Sequence, residues 1–180
     1  MSRIREALEE SRIIFIDGEI NEENAINTIV QLLYLDSVSH DDISIYINSC
    51  GGVVSDGLAI IDTMNFIKSD VATIGIGKCA SMAAVILASG TKGKRSALPH
   101  TNIMIHQIMG GAQGQASDIE IAAEQAKKTK NTLNSIFAEA TNQDFETIER
   151  DTDRDFWLTS EEAIEYGLID TILEKKDENK

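Results

Sequence analysis

From Arg12 onward the chain switches repeatedly between two hydrophobic periods, and this alternation limits what it can fold into. "RIIFIDG" is a β-branched run closed by Gly18, and "NEENAINTIVQLLYLDS" follows with helical spacing at Ile26, Ile29, Val30, Leu33 and Tyr34. "ISIYINS" alternates and is rich in β-branched residues, whereas "GLAIIDTMNFIKS" returns to the helical period. "VATIGIG" predicts another strand, "SMAAVILASG" a buried helix and "NIMIHQI" a strand again. The longest helix is predicted over "SDIEIAAEQAKKTKNTLNSIFAEATN", with Ser117 as its N-cap and Glu120 three residues on. A strand followed by a helix and a further strand returns in the same direction, so the pattern implies an α/β fold with parallel strand pairs.

Nothing resembling a linker interrupts the pattern. A chain of 180 residues with 42% apolar content can bury one sizeable core, which predicts a single domain over residues 1–180. The apolar run between Ala80 and Ala88 is too short to cross a bilayer, and "MSRIREALEESRIIF" carries charges where a signal peptide would need an apolar core, so a cytoplasmic protein is expected. Two cysteines, Cys50 and Cys79, give neither a disulfide framework nor a metal-ligand spacing and are expected to be reduced thiols. A net charge of −14 argues against nucleic acid or an anionic membrane surface as partner, although solubility alone would also explain it.

In alternating folds, chemistry gathers where strands end and helices begin. Three junctions stand out. In "YINSCGGVVSDG" a glycine pair, Gly51 and Gly52, follows a strand and precedes a helix, which suits a tight turn and equally an oxyanion hole built from backbone N–H groups. Ser81 opens an apolar helix, where serine is a preferred N-cap but where the aligned peptide dipoles would also favour developing negative charge. His106 is a polar ring in an otherwise apolar strand, either a buried histidine held by backbone or a catalytic base. "GTKGKRS" imitates a phosphate loop, but Arg95 stands where Ser or Thr would be required, and a helix rather than a strand precedes it; it reads as a basic turn. Lys78, three residues before Ser81, leaves a Ser-Lys dyad open.

Taken together, "YINSCGG", "GKCASMAAVILASGTKGKR", "IMIHQIMGGAQGQASDIEI" and "IERDTDRDFWLTSEEAIEYGLID" resemble, in order, the signature segments of the ClpP family, the proteolytic subunit of the ATP-dependent Clp protease. The similarity runs from about Arg12 to Leu173. It implies a catalytic Ser81, His106 and Asp155, with the N–H groups of Gly52 and Met82 forming the oxyanion hole. Asp155 is identified through the resemblance alone, since Asp151, Asp153 and Asp170 stand close by and solvated carboxylates are the ordinary reading.

The resemblance further implies a crotonase-like fold, a head of stacked strand-helix units with a protruding helix-strand handle at about residues 107–140. Substrate would add as a strand beside Ile108, Met109, Gly110 and Gly111. Family members form two stacked heptameric rings fed by an AAA+ unfoldase such as ClpX or ClpC/ClpA. ATP is used by that partner, so no cofactor or metal is expected here. Cys50 and Ile108 stand where the family usually has Pro, and Ser44 where an aromatic often helps form the docking pocket. The chain is expected to start close to its first strand and to lack most of the segment that lines the family's axial pore. An active serine endopeptidase is the leading expectation. The alternatives are a largely structural ring subunit in mixed rings with a more active paralogue, and a crotonase-like acyl-CoA enzyme, against which the Ser, His, Asp set and the handle argue.

Overall fold

A computed structural model describes residues 2–175. The predicted alternation resolves into a mixed α/β architecture: α1 Ser2–Glu10, β1 Ile13–Ile20, α2 Glu22–Val38, β2 Ile43–Gly52, α3 Val54–Phe66, β3 Val71–Ala80, α4 Met82–Ala88, β4 Arg95–Ala97, β5 Asn102–Ile105, α5 Ala116–Thr141, α6 Phe145–Asp151, β6 Phe156–Leu158, α7 Ser160–Tyr166 and β7 Thr171–Ile172. The strands form one seven-stranded sheet in the order β1-β2-β3-β4-β7, parallel along that path. β3 forks: Thr73 to Gly75 pair with β4, while Lys78 to Ala80 pair with β5, which in turn takes β6 antiparallel.

Isoleucines of β1 and β2 (Ile14, Ile16, Ile43, Ile45 and Ile47) supply one wall of the core. α4 is buried at every one of its seven positions, the expected fate of a helix that is apolar all round. α2 starts with a capping box between Asn21 and Asn24 and turns Ala25, Thr28, Leu32 and Leu35 inward. The apolar residues whose spacing marks this helix in the sequence lie mainly on its other side: Ile26, Val30, Leu33 and Tyr34 are exposed.

Several local expectations are corrected. β1 continues past Gly18 to Ile20, because Gly18 adopts φ 72° where the register with β2 shifts. α5 begins at Ala116 with Gln115 in the cap position and no side-chain cap bond, so Ser117 lies inside the first turn. The strand expected over "NIMIHQI" ends at Ile105, and among the described residues 106–115 form no strand. An extended segment needs a neighbour for its backbone groups, and among the described residues this one finds an isolated backbone bond, from the Gln107 N–H to the Thr152 carbonyl, rather than a ladder. The handle is therefore a helix with an irregular lead-in, and only Leu133, Asn134, Phe137 and Thr141 of α5 are buried.

"GTKGKRS" is a turn only in its first part. Arg95 belongs to β4, is 4% exposed, and donates Nε and Nη2 to the two oxygens of Asp170 at 3.0 and 2.6 Å. Its Nη1 donates to the Ala140 carbonyl at 2.9 Å, pinning the base of α5 to the sheet. Burial raises the Asp170 carboxyl, but the guanidinium and the N–H groups of Arg95 and Gly93 outweigh it and hold the group below the usual carboxylate range.

Candidate active site

Ser81 occupies the step from β3 to α4, at φ 56° and ψ −126°, a conformation that L-residues rarely adopt. The surroundings over-determine it. Its N–H donates to the Met104 carbonyl at 2.8 Å, α4 buries its whole surface behind it, and Gly51 packs directly against it. A Cβ on Gly51, which sits at φ 92°, would lie 2.7 Å from both the Ala80 carbonyl oxygen and Ser81 Cβ, so only glycine lets β2 approach the turn this closely. The turn aims the hydroxyl away from the helix end: Ser81 makes no side-chain cap bond. Its Oγ lies 2.8 Å from His106 Nε2 instead.

His106 follows β5 directly, and β5 pairs antiparallel with β6 through Ile105 opposite Phe156. Carried one residue further, that register sets His106 across from Asp155, and the His106 Nδ1 to Asp155 Oδ1 distance is 3.1 Å. The imidazole is 10% exposed and the carboxylate 62%. An Oγ–H donating to Nε2, with an Nδ1–H donating to a carboxylate, fixes one tautomer of the ring and lets it accept a proton from the serine. Lys78 is exposed and its backbone N–H donates to Asn48 Oδ1, while the Ser81 hydroxyl meets His106 Nε2 rather than a lysine amine.

Ser81, His106 and Asp155 open into a cleft of about 620 Å³. Gly51 and Gly52 form one rim, and Met82 faces them as the first residue of α4, where an N–H lacks an intrahelical acceptor. Ile108 and Met109 line the opposite side, Ile108 half-buried and Met109 83% exposed, whereas Gly110 and Gly111 lie outside this cleft in an exposed stretch against α5. Apolar walls come from Val54, Val85, Met104 and Leu133, and Glu19 reaches the edge. None of these five carries a sequence signal, because each comes from a different element and only the fold gathers them.

The two thiols differ. Cys50 is exposed and lines the cleft. Cys79 is buried, its Sγ lies 3.2 Å from the Ile47 carbonyl, and burial pushes its pKa up to about 12.

A protein-family model described as Clp protease matches residues 1–176 of the chain. The chain belongs to the Clp protease family. Membership makes it a ClpP-type peptidase, and the mixed α/β sheet agrees with the fold of that family. Ring assembly with Clp ATPases is a general property of the family. Among the described residues, no helix is long and apolar enough to cross a membrane.

Proposed function

We propose that this Clp protease family member is a serine endopeptidase that cleaves unfolded polypeptides and small peptides. The observation that carries the reading is the continuous hydrogen-bonded chain from Ser81 Oγ through His106 to Asp155. His106 Nε2 takes the serine proton as Oγ attacks the scissile carbonyl, and Asp155 orients the ring and stabilises its charged form. The N–H groups of Gly52 and Met82 receive the oxyanion, an interaction worth about 3 kcal/mol per donor in the transition state. His106 then protonates the leaving amine, and a water repeats the sequence in reverse to release the acyl group. A polypeptide lying beside Ile108 to Gly111 would be held by its backbone, which gives affinity with little sequence selectivity.

We further propose that the active form is two stacked heptameric rings enclosing the clefts, loaded by an AAA+ unfoldase of the ClpX or ClpC/ClpA kind that spends the ATP. The outward apolar residues of α2, Ile26, Val30, Leu33 and Tyr34, support burial against another subunit. Labelling with a fluorophosphonate, mapped to its peptide, together with a native mass, tests both statements. Modification at Ser81 in a ring-sized particle is expected; an unlabelled Ser81 in a correctly assembled particle would overturn the peptidase reading.

A further inference from the structure

We propose that Gln107 is a positioning residue, which ties the segment carrying His106 to the loop carrying Asp155 and so keeps the carboxylate opposite the imidazole. The inference rests on the serine peptidase reading. Asp155 is mostly exposed, and among the described residues its carboxylate has one hydrogen-bond partner, His106. One bond from a solvated side chain does not fix its own geometry, so the backbone of residues 152–155 must do so. Regular pairing of β5 with β6 stops at Ile105 and Phe156, just short of the triad. Beyond that point Gln107 takes over. Its N–H donates to the Thr152 carbonyl, and its Nε2 donates to the Asp153 carbonyl at 2.9 Å and to Asp153 Oδ1 at 3.1 Å.

Thr152 is itself a firm base for the clip. It is 1% exposed, and its Oγ1 donates to the Ile148 carbonyl at 2.7 Å, with the Asn134 side chain of α5 3.3 Å away. The loop is thus anchored to α5 at one end and, through Gln107, to the histidine segment at the other. Arg154 adds nothing comparable, being 92% exposed and 3.8 Å from Asp153. A displacement of about 1 Å in such a group costs up to about a hundredfold in rate, so the clip acts on turnover rather than on substrate affinity.

The test is steady-state hydrolysis of a fluorogenic peptide by the assembled protein, with Gln107→Ala made in the wild type and in Asp155→Asn. In the wild type, kcat is expected to fall about tenfold with KM changed by less than about twofold; in Asp155→Asn the same substitution is expected to change kcat by less than about twofold, because there is no carboxylate left to place. Gln107→Glu keeps the shape, replaces the donor with an acceptor facing Asp153, and is expected to reproduce the kcat loss; it serves as the comparison should Gln107→Ala not assemble. An effect confined to KM would make Gln107 a substrate contact, and an equal loss in both backgrounds would make it independent of Asp155; either outcome overturns the proposal. Wild-type protein that assembles but neither turns over peptide nor labels at Ser81 would instead defeat the peptidase reading.

Discussion

The nucleophile turn and the lead-in to α5 face each other across one cleft, yet they are built on opposite terms. Around Ser81 the backbone is strained and crowded, locked between Gly51, the Met104 carbonyl and a fully buried helix. From Met109 to Ala116 the chain is exposed and makes no strand, and a Cβ on Gly110 or Gly111 would meet nothing within 4 Å. Strain persists only where its surroundings outvote it, so Ser81, the proposed nucleophile, sits on the rigid side. The side proposed to hold the polypeptide has unspent backbone groups, and its conformation is left to whatever pairs with it.

The strongest challenge to this contrast is Ser81→Ala. Peptide turnover is expected to drop by at least about 10⁴-fold, since triad members act as a unit, while the thermal midpoint stays put because the hydroxyl caps nothing. Melting curves and turnover on the same preparation read both quantities. A large loss of stability would mean that the serine serves the helix after all.

Next in size is the anchor that holds the far end of α5, away from its lead-in, to the sheet. Arg95→Ala strands the Asp170 carboxylate and frees the Ala140 carbonyl, and is expected to cost about 3 to 5 kcal/mol in denaturant unfolding. The same pair sets a pH dependence. Because the folded-state carboxyl of Asp170 is held below its unfolded value, its contribution is complete above the ordinary carboxylate range and fades as pH falls toward the depressed value. Asp170→Asn should flatten that acid limb; an unchanged limb would show that other carboxylates dominate it.

Smaller still is a matched pair of glycine substitutions. Gly51→Ala puts a Cβ 2.7 Å from backbone at φ 92° and is expected to destabilise by about 2 kcal/mol or more, whereas Gly111→Ala should stay within about 0.5 kcal/mol. Equal effects would erase the distinction between crowded and open sides. The substitution with the smallest expected effect is Cys50→Ala, which should keep activity while removing the block of peptide cleavage that a bulky maleimide causes through Cys50 at the cleft edge. Cys79, buried with its pKa pushed up to about 12, should remain unlabelled in the folded protein, which peptide mass mapping can check.

The crowded side was also the more legible one. β2, β3 and α4 are marked by their apolar period, although β2 runs on through the Gly51–Gly52 pair expected to follow it and β3 continues past "VATIGIG" to Ala80, because pairing with neighbouring strands carries them further. What failed were features decided at long range. The buried Arg95 looks like part of a solvated turn because its partner, Asp170, is 75 residues away. β5 stops before its apolar pattern does, since pairing rather than composition ends a strand. The junction serine and histidine could be singled out from their neighbours, though not given roles. Asp155 could be found only through family resemblance, as local sequence does not reveal which carboxylate β6 will bring opposite His106.

That β5–β6 register also sets a clock. The three groups occur along the chain in the order serine, histidine, aspartate, the first two 25 positions apart and the last two 49. A ribosome delivers them in that order, and domains fold as their segments emerge. Until β6 has left the exit tunnel there is a strained hydroxyl and an imidazole with no carboxylate to hold its tautomer. On the serine peptidase proposed above, a chain whose β6 is still in the tunnel lacks its carboxylate and cannot yet be competent. Chains truncated before Asp155 should remain unlabelled by fluorophosphonate, while released chains that include β6 and β7 should react once assembled.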